Sequence, residues 1–172
     1  MRYLTKRTIA YFIDCIICYL LIMLIIQWAI LSNIRIHFGM TDEWFQNSVN
    51  LELYVLLTIS FPVWCYFIYF DSNKANGTIG KRMMKLSVVD LKKDSIHVGK
   101  SLLRTFLKLL PWEIAHIGII FPRPIYFAED TGIRPLTIIG ISLFVIYVLS
   151  IIIDNRRQSI YDKICKTVVI TK

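Results

Sequence analysis

The residue that sets the problem is an aspartate. From Ile9 to Leu31 the chain runs 23 residues with Asp14 as the sole acidic or basic side chain. About 20 apolar residues cross the hydrocarbon core of a bilayer, so this run predicts a membrane-spanning helix with a carboxylate inside it. Such a group costs ~2.5–3.5 kcal/mol even on the lenient insertion scale, so it must face protein or water. A carboxylate that alternates between a proton and a cation could carry exchange across a membrane. One that is permanently bonded would instead hold helices together. Arg7 lies seven residues earlier on nearly the same helix face, but ~10 Å away along the axis at 1.5 Å per residue. Direct pairing with Asp14 is therefore not expected, and each group needs a partner from elsewhere. For Arg7 the tail segment Arg156-Arg-Gln-Ser-Ile-Tyr-Asp162 supplies one in Asp162.

Other candidates are weaker. Asn76-Gly-Thr-Ile-Gly-Lys-Arg-Met-Met-Lys85 is basic with two glycines. It is no phosphate-binding P-loop, because the glycine spacing is too short and Arg82 stands where Ser or Thr is required. Gly77, Gly80 and Lys81 read either as a tight turn with lysine on lipid headgroups or as a ligand-binding turn. Arg104 and Lys108 lie one helical turn apart and could supply the cation that Asp14 lacks. Arg7 alone reads equally as a membrane-entry anchor, and Asp162 as a solvated or helix-capping carboxylate. Glu113 and His116 read as interior or interfacial groups. Cys15-x-x-Cys18 lies inside the first span, and the chain has four cysteines without a second such pair, so packing is expected rather than metal or disulfide chemistry. No Ser/His, Cys/His or metal-ligand spacing assembles, so neither an enzyme nor a cofactor is expected.

The elements that must position these groups are membrane helices. With 56% hydrophobic and 19% charged residues, the apolar residues are clustered in runs. That favours an integral membrane domain over a soluble one. After the first span, closing near Gln27 and Trp28, residues 32–50 form a polar loop and residues 53–70 a second span containing Pro62. Residues 102–121 are long enough to cross but carry Arg104, Lys108, Glu113 and His116 around Pro111; interfacial and crossing placements both remain open. Residues 136–153 form an 18-residue span without charge. Leu86–Leu91, a Lys92–Ser95 turn and Ile96–Val98 predict a hairpin, to which Thr167–Thr171 could add a third strand. No internal repeat stands out.

The net charge of +8 reflects lysines and arginines placed between apolar runs, not a nucleic-acid surface. Four spans put 17 of the 20 basic residues on one side and only Arg35, Arg123 and Arg134 on the other, so both termini are expected in the cytoplasm. The expectation is an all-α membrane protein of one domain, residues 1–172, with helices at about 5–31, 52–70, 102–121 and 136–153. A small β-hairpin or three-stranded sheet is expected at the cytoplasmic membrane surface. Expected partners are the bilayer of the cell membrane, its anionic headgroups, and a homo-oligomer or a larger membrane complex; no nucleic acid is expected.

The chain also resembles a family. Arg7-x-x-Ala-x-x-Ile-Asp14, Gly77-Thr-Ile-Gly-Lys-Arg with Leu86-x-Val88, Arg104 with Leu110-Pro111, and Arg157-Gln-Ser-Ile-Tyr-Asp162 with Thr167-Val-Val look like the RDD family. These are small bacterial-type membrane proteins named for one arginine and two aspartates. The resemblance implies that Arg7, Asp14 and Asp162 are the named residues. It also implies a transport-related role, monovalent cation/proton exchange or movement of an unknown ligand, with an accessory or assembly subunit as the alternative. Two departures stand out: Tyr161 where the family often has His, which weakens a titrating-histidine mechanism, and Asn76-Gly77 where Gly-Gln is common.

Overall fold

A computed structural model describes residues 2–75, 77–129 and 132–171, with the Arg2 side chain excluded. Asn76, Asp130, Thr131 and Lys172 lie outside the described residues, and with them the Asn76 departure. Three helices are long and apolar enough to cross a membrane. The first joins α1 (Arg2–Leu20), a π-wound stretch (Leu21–Ile30) and α2 (Leu31–His37). From Tyr3 to His37 the joined helix covers 35 residues, or ~50 Å at 1.5 Å per residue, well beyond the ~30 Å hydrocarbon thickness. After the short α3 (Asp42–Gln46), the second joins α4 (Ser48–Val55), a π-wound turn (Leu56–Ser60) and α5 (Phe61–Asp71). Asn47 caps it by accepting from the Val49 and Asn50 amides at 2.9 and 3.2 Å. The wide turn falls just before Pro62, where the ring would otherwise press on the carbonyl four residues back; the Phe61 amide reaches Leu56 instead. The third is α8 (Pro135–Ile153), opened by a proline at the position where its missing N–H costs nothing.

Between these lie α6 (Ile79–Met83), β1 (Leu86–Asp90) and α7 (Val98–Ile120); a 3-10 turn (Ile125–Phe127) follows α7, and α9 (Ile160–Ile164) and β2 (Thr167–Thr171) complete the chain. α7 is one helix of 23 residues through Pro111. Its charges keep it from matching the other three in apolar character.

The sheet differs from the expected hairpin. β1 pairs antiparallel with β2, Leu86 opposite Thr171 and Asp90 opposite Thr167. Residues 96–98 form no strand; a single bridge joins Val89 and Ser95. The physical reason is competition: the Ile96 carbonyl accepts from the Asn73 amide at 2.7 Å, and α7 begins at Val98. Two strands alone are marginal, and this pair is seated by a buried cluster of Ala10, Leu86, Val88, Ile96 and Val169, flanked by Tyr3. The Tyr3 hydroxyl donates to the Val169 carbonyl.

The structure also reveals a repeat that the sequence hid. Thr78–Asp90 and Ser159–Thr171 each consist of a hydroxyl N-cap, a five-residue helix, a lysine of positive φ (Lys85 at 56°, Lys166 at 52°) and a strand. Val88 and Val169 hold equivalent places in the two arms and face each other in the sheet. The strands are thus related by the local two-fold of an antiparallel pair.

The chain divides into two compact units. The first comprises Met1–Cys18, Val63–Leu109 and Phe144–Lys172, and holds the sheet and most of the charge. The second comprises Tyr19–Pro62 and Leu110–Leu143. Inside the second unit, α7 and α8 approach closely: a Cβ on Gly140 would lie 2.6 Å from the Pro111 carbonyl, and one on Gly118 would lie 2.4 Å from the Thr137 amide. Arg134 closes the end of α7 by donating to the Ile119, Phe121 and Arg123 carbonyls at 3.1, 3.0 and 2.9 Å.

Candidate functional site

The first unit contains an alternating chain of charge. Arg104, 1% exposed on α7, stands between two fully buried carboxylates. Its Nη1 lies 2.8 Å from Asp71, and its Nε and Nη2 lie 3.0 and 2.8 Å from Asp162 Oδ1. Lys81 bonds the far oxygen of Asp71, and Arg7 Nη2 bonds Asp162 Oδ2 at 2.9 Å. The sequence is Lys81–Asp71–Arg104–Asp162–Arg7, with a cation at each end. The Arg7–Asp162 pair expected from the opposite charges is therefore present. Burial pushes the Asp162 carboxyl up, but the guanidiniums of Arg104 and Arg7 outweigh it and hold it below the usual carboxylate range. Burial lowers the Lys81 ammonium against the opposing pull of Asp71.

Local folding explains how Asp162 reaches this position. It is the third residue of α9 and closes a capping box with Ser159, whose hydroxyl accepts from the Asp162 amide. Thr167 donates to the same carboxylate at 3.3 Å. Tyr161 lays its ring under Arg104, 5.3 Å from the guanidinium carbon, and its hydroxyl stands 3.4 Å from Arg7. The phenol thus supports Arg104 with its ring and Arg7 with its hydroxyl.

Asp14 behaves differently from expectation. Neither Arg104 nor Lys108 pairs with it; no ion pair of Asp14 occurs among the described residues. Its oxygens accept from three neutral donors: the Tyr66 hydroxyl at 2.7 Å, the Thr78 hydroxyl at 2.6 Å and the Gly80 amide at 2.8 Å. Gly80 is required for this. A Cβ there would fall 2.1 Å from the Ala10 carbonyl and 3.0 Å from Asp14 itself, so only glycine lets α6 press onto α1. Gly77, at φ 121°, makes the turn before it, and Arg82 ties the turn by donating to the Gly77 carbonyl at 2.9 Å. The glycines and Lys81 thus build the seat for Asp14 and bring an ammonium to Asp71.

Lys108 lines the same region, with Nζ 3.1 Å from the centre of the Phe67 ring. Arg7, Asp14, Lys81, Arg104 and Lys108 all face a cavity of about 50 Å3. Arg7, Asp14, Asp162, Gly80, Lys81, Arg104 and Lys108 are therefore brought together, with Gly77 one turn away as a shaping residue. Sequence reasoning missed Asp71, Tyr66 and Thr78. Asp71 closes the second apolar helix and looked like the first residue of a loop; an acid at the end of a span, opposite a basic turn, was the available signal.

Fold and site together define a mostly helical protein with three helices apolar enough to span a membrane, a small two-stranded sheet and a buried chain of ion pairs. The chain belongs to the RDD family, whose profile matches residues 2–166. It is similar to YxaI of Bacillus subtilis (strain 168), a protein described as uncharacterised: 28% of residues are identical over 137, covering 76% of this chain and 88% of YxaI. No solved structure matches.

Proposed function

We propose that the protein is a non-enzymatic, multi-pass component of the cell membrane with four crossing helices and cytoplasmic termini. Its cavity would receive a small ion or ligand as part of transport. One observation supports the topology. The chain passes from one compact unit to the other at residues 18/19, 62/63, 109/110 and 143/144, and each passage lies inside a long helix. The segments that four crossings assign to one side carry 17 of the 20 lysines and arginines. α7, at ~35 Å, is long enough to be the remaining crossing. Transport is supported by the charged cavity, because buried ionic groups stabilise a fold less well than apolar packing and are kept where they have work to do.

Cation/proton exchange at Asp14 demands that this carboxylate release Tyr66, Thr78 and Gly80 in turn. Purified protein in liposomes, assayed for cation-driven proton movement, tests it. The expected result is exchange that Asp14→Asn abolishes while insertion is normal. Exchange undiminished in Asp14→Asn removes Asp14 from transport. The satisfied bonding of Asp14 favours a second reading, an accessory or assembly subunit in which these groups hold the fold; failure of Asp14→Asn to assemble would support it.

A further inference from the structure

We infer that the cavity in the first unit binds one small monovalent inorganic anion, of chloride size, against the ammonium of Lys108. This rests on the reading of the cavity as a ligand site and names the ligand class.

The wall decides the sign. Four bases line the cavity (Arg7, Lys81, Arg104 and Lys108) against one lining carboxylate, Asp14. Asp71 and Asp162 are not on the wall; they sit among the bases, bonded to Lys81, Arg104 and Arg7. Asp14 accepts from three donors across its two oxygens, so little of its bonding capacity is left for a cation in the cavity. Counting all seven groups as ionised, the bases exceed the carboxylates by one, an imbalance that a bound anion removes. The excess falls on Lys108, which has no carboxylate within ion-pair distance among the described residues and rests on the face of Phe67. While Asp14 is held by its three donors, a cation entering this space would meet like charge on several sides, whereas an anion would complete the count.

Size narrows the class. At ~10–15 Å3 for each water-sized position, the 50 Å3 cavity holds a few waters, or one halide-sized ion with part of its shell. A lipid phosphodiester with its glycerol does not fit. Beyond Lys108, Tyr11 and Tyr161 also line the space and carry hydroxyls able to donate to an anion.

The test is equilibrium binding of radioactive chloride to the full-length protein in detergent, with gluconate replacing chloride at constant ionic strength. Saturable binding is expected, displaced by bromide but not by sulfate, inorganic phosphate or short-chain phosphatidylglycerol. Losing a charged hydrogen-bond donor should weaken binding ~10–100-fold in Lys108→Met, while Lys108→Arg retains it. Anomalous scattering from bromide-soaked crystals of the unaltered protein gives a check independent of any variant, with a peak expected beside Lys108 Nζ. Absence of saturable chloride binding, equal binding by Lys108→Met, a bromide peak elsewhere only, or displacement by phosphate or lipid overturns the inference. Chloride bound without flux in liposomes removes the transport reading and leaves the site; flux without chloride binding does the reverse.

Discussion

The arms Thr78–Asp90 and Ser159–Thr171 share a backbone and carry opposite charge at the same place. Each begins with a hydroxyl cap, and the third helical residue is Lys81 in one and Asp162 in the other. A helix N-terminus favours a carboxylate and disfavours an ammonium. The second arm owns its carboxylate, and Asp162 both closes the capping box and binds two arginines. The first arm lacks one and borrows Asp14 from α1, which accepts from Gly80 and Thr78. That borrowing is why the second helical residue is glycine in one arm and tyrosine in the other. Where a carboxylate comes from outside, the backbone must approach it; where it is built in, a ring can fill the space.

Besides their shared sheet, the charged ends of the two arms, Lys81 and Asp162, are linked through Asp71 and Arg104, so removing Arg104 is expected to have the largest effect. Arg104→Met leaves Asp71 and Asp162 buried and short of partners, at a cost of ~3–5 kcal/mol. A drop in melting temperature in detergent no larger than that of Lys163→Met would break the idea that one arginine joins them. Next, Gly80→Ala should cost ~1–3 kcal/mol or more from overpacking, while Tyr161→Phe at the equivalent position should cost well under that. Equal losses would mean that the close approach to Ala10 is not what distinguishes the arms.

The caps sharpen the contrast on a smaller scale. Ser159→Ala should cost ~1 kcal/mol, the usual loss for a cap. Thr78→Ala loses its cap and also its bond to Asp14, adding ~1–3 kcal/mol. Chemical denaturation of both variants measures the difference, which should vanish in an Asp14→Ala background. The smallest effect is on acid stability. The folded-state pKa of Asp162 is depressed, so its contribution is complete above the unfolded value of ~3.9 and is lost as pH falls through the lower folded value. Thermal melts below pH 4 should show this decline in the natural protein and a shallower one in Asp162→Asn; parallel curves would show that Asp162 is not held by the arginines.

Much of this architecture can be read from the chain. Apolar runs mark the long helices because lipid demands uninterrupted apolar length, and Arg7, Asp14 and Arg104 stand out as charges at or within such runs. Thr167–Thr171 was legible as a strand of this sheet, but not as the direct and sole regular partner of Leu86–Asp90 among the described residues. Ile96–Val98 is closer in sequence and equally β-branched, and only the capture of its carbonyl by Asn73 decides against it. The repeat was hidden for a related reason. Ile79, Lys85 and Val88 are the only identities with Ile160, Lys166 and Val169 over the two arms, because equivalent positions face different neighbours. Asp14's donors were not legible either, since a phenol, a hydroxyl and an amide carry no charge pattern that points to a partner.

The separation of Arg7 from Asp162, 155 residues, has a consequence for how the protein is made. At ~5–20 residues per second, a ribosome needs ~8–30 s to supply the aspartate after the arginine has emerged. Throughout that interval Arg7 lacks its carboxylate partner. Asp14 obtains its glycine amide earlier, 66 residues on. Synthesis therefore supplies the partners of α1 in order, the glycine turn first and the tail last. A nascent chain halted between these events presents Arg7 and Arg104 without their shared acid, a state that membrane quality control could distinguish from the finished protein.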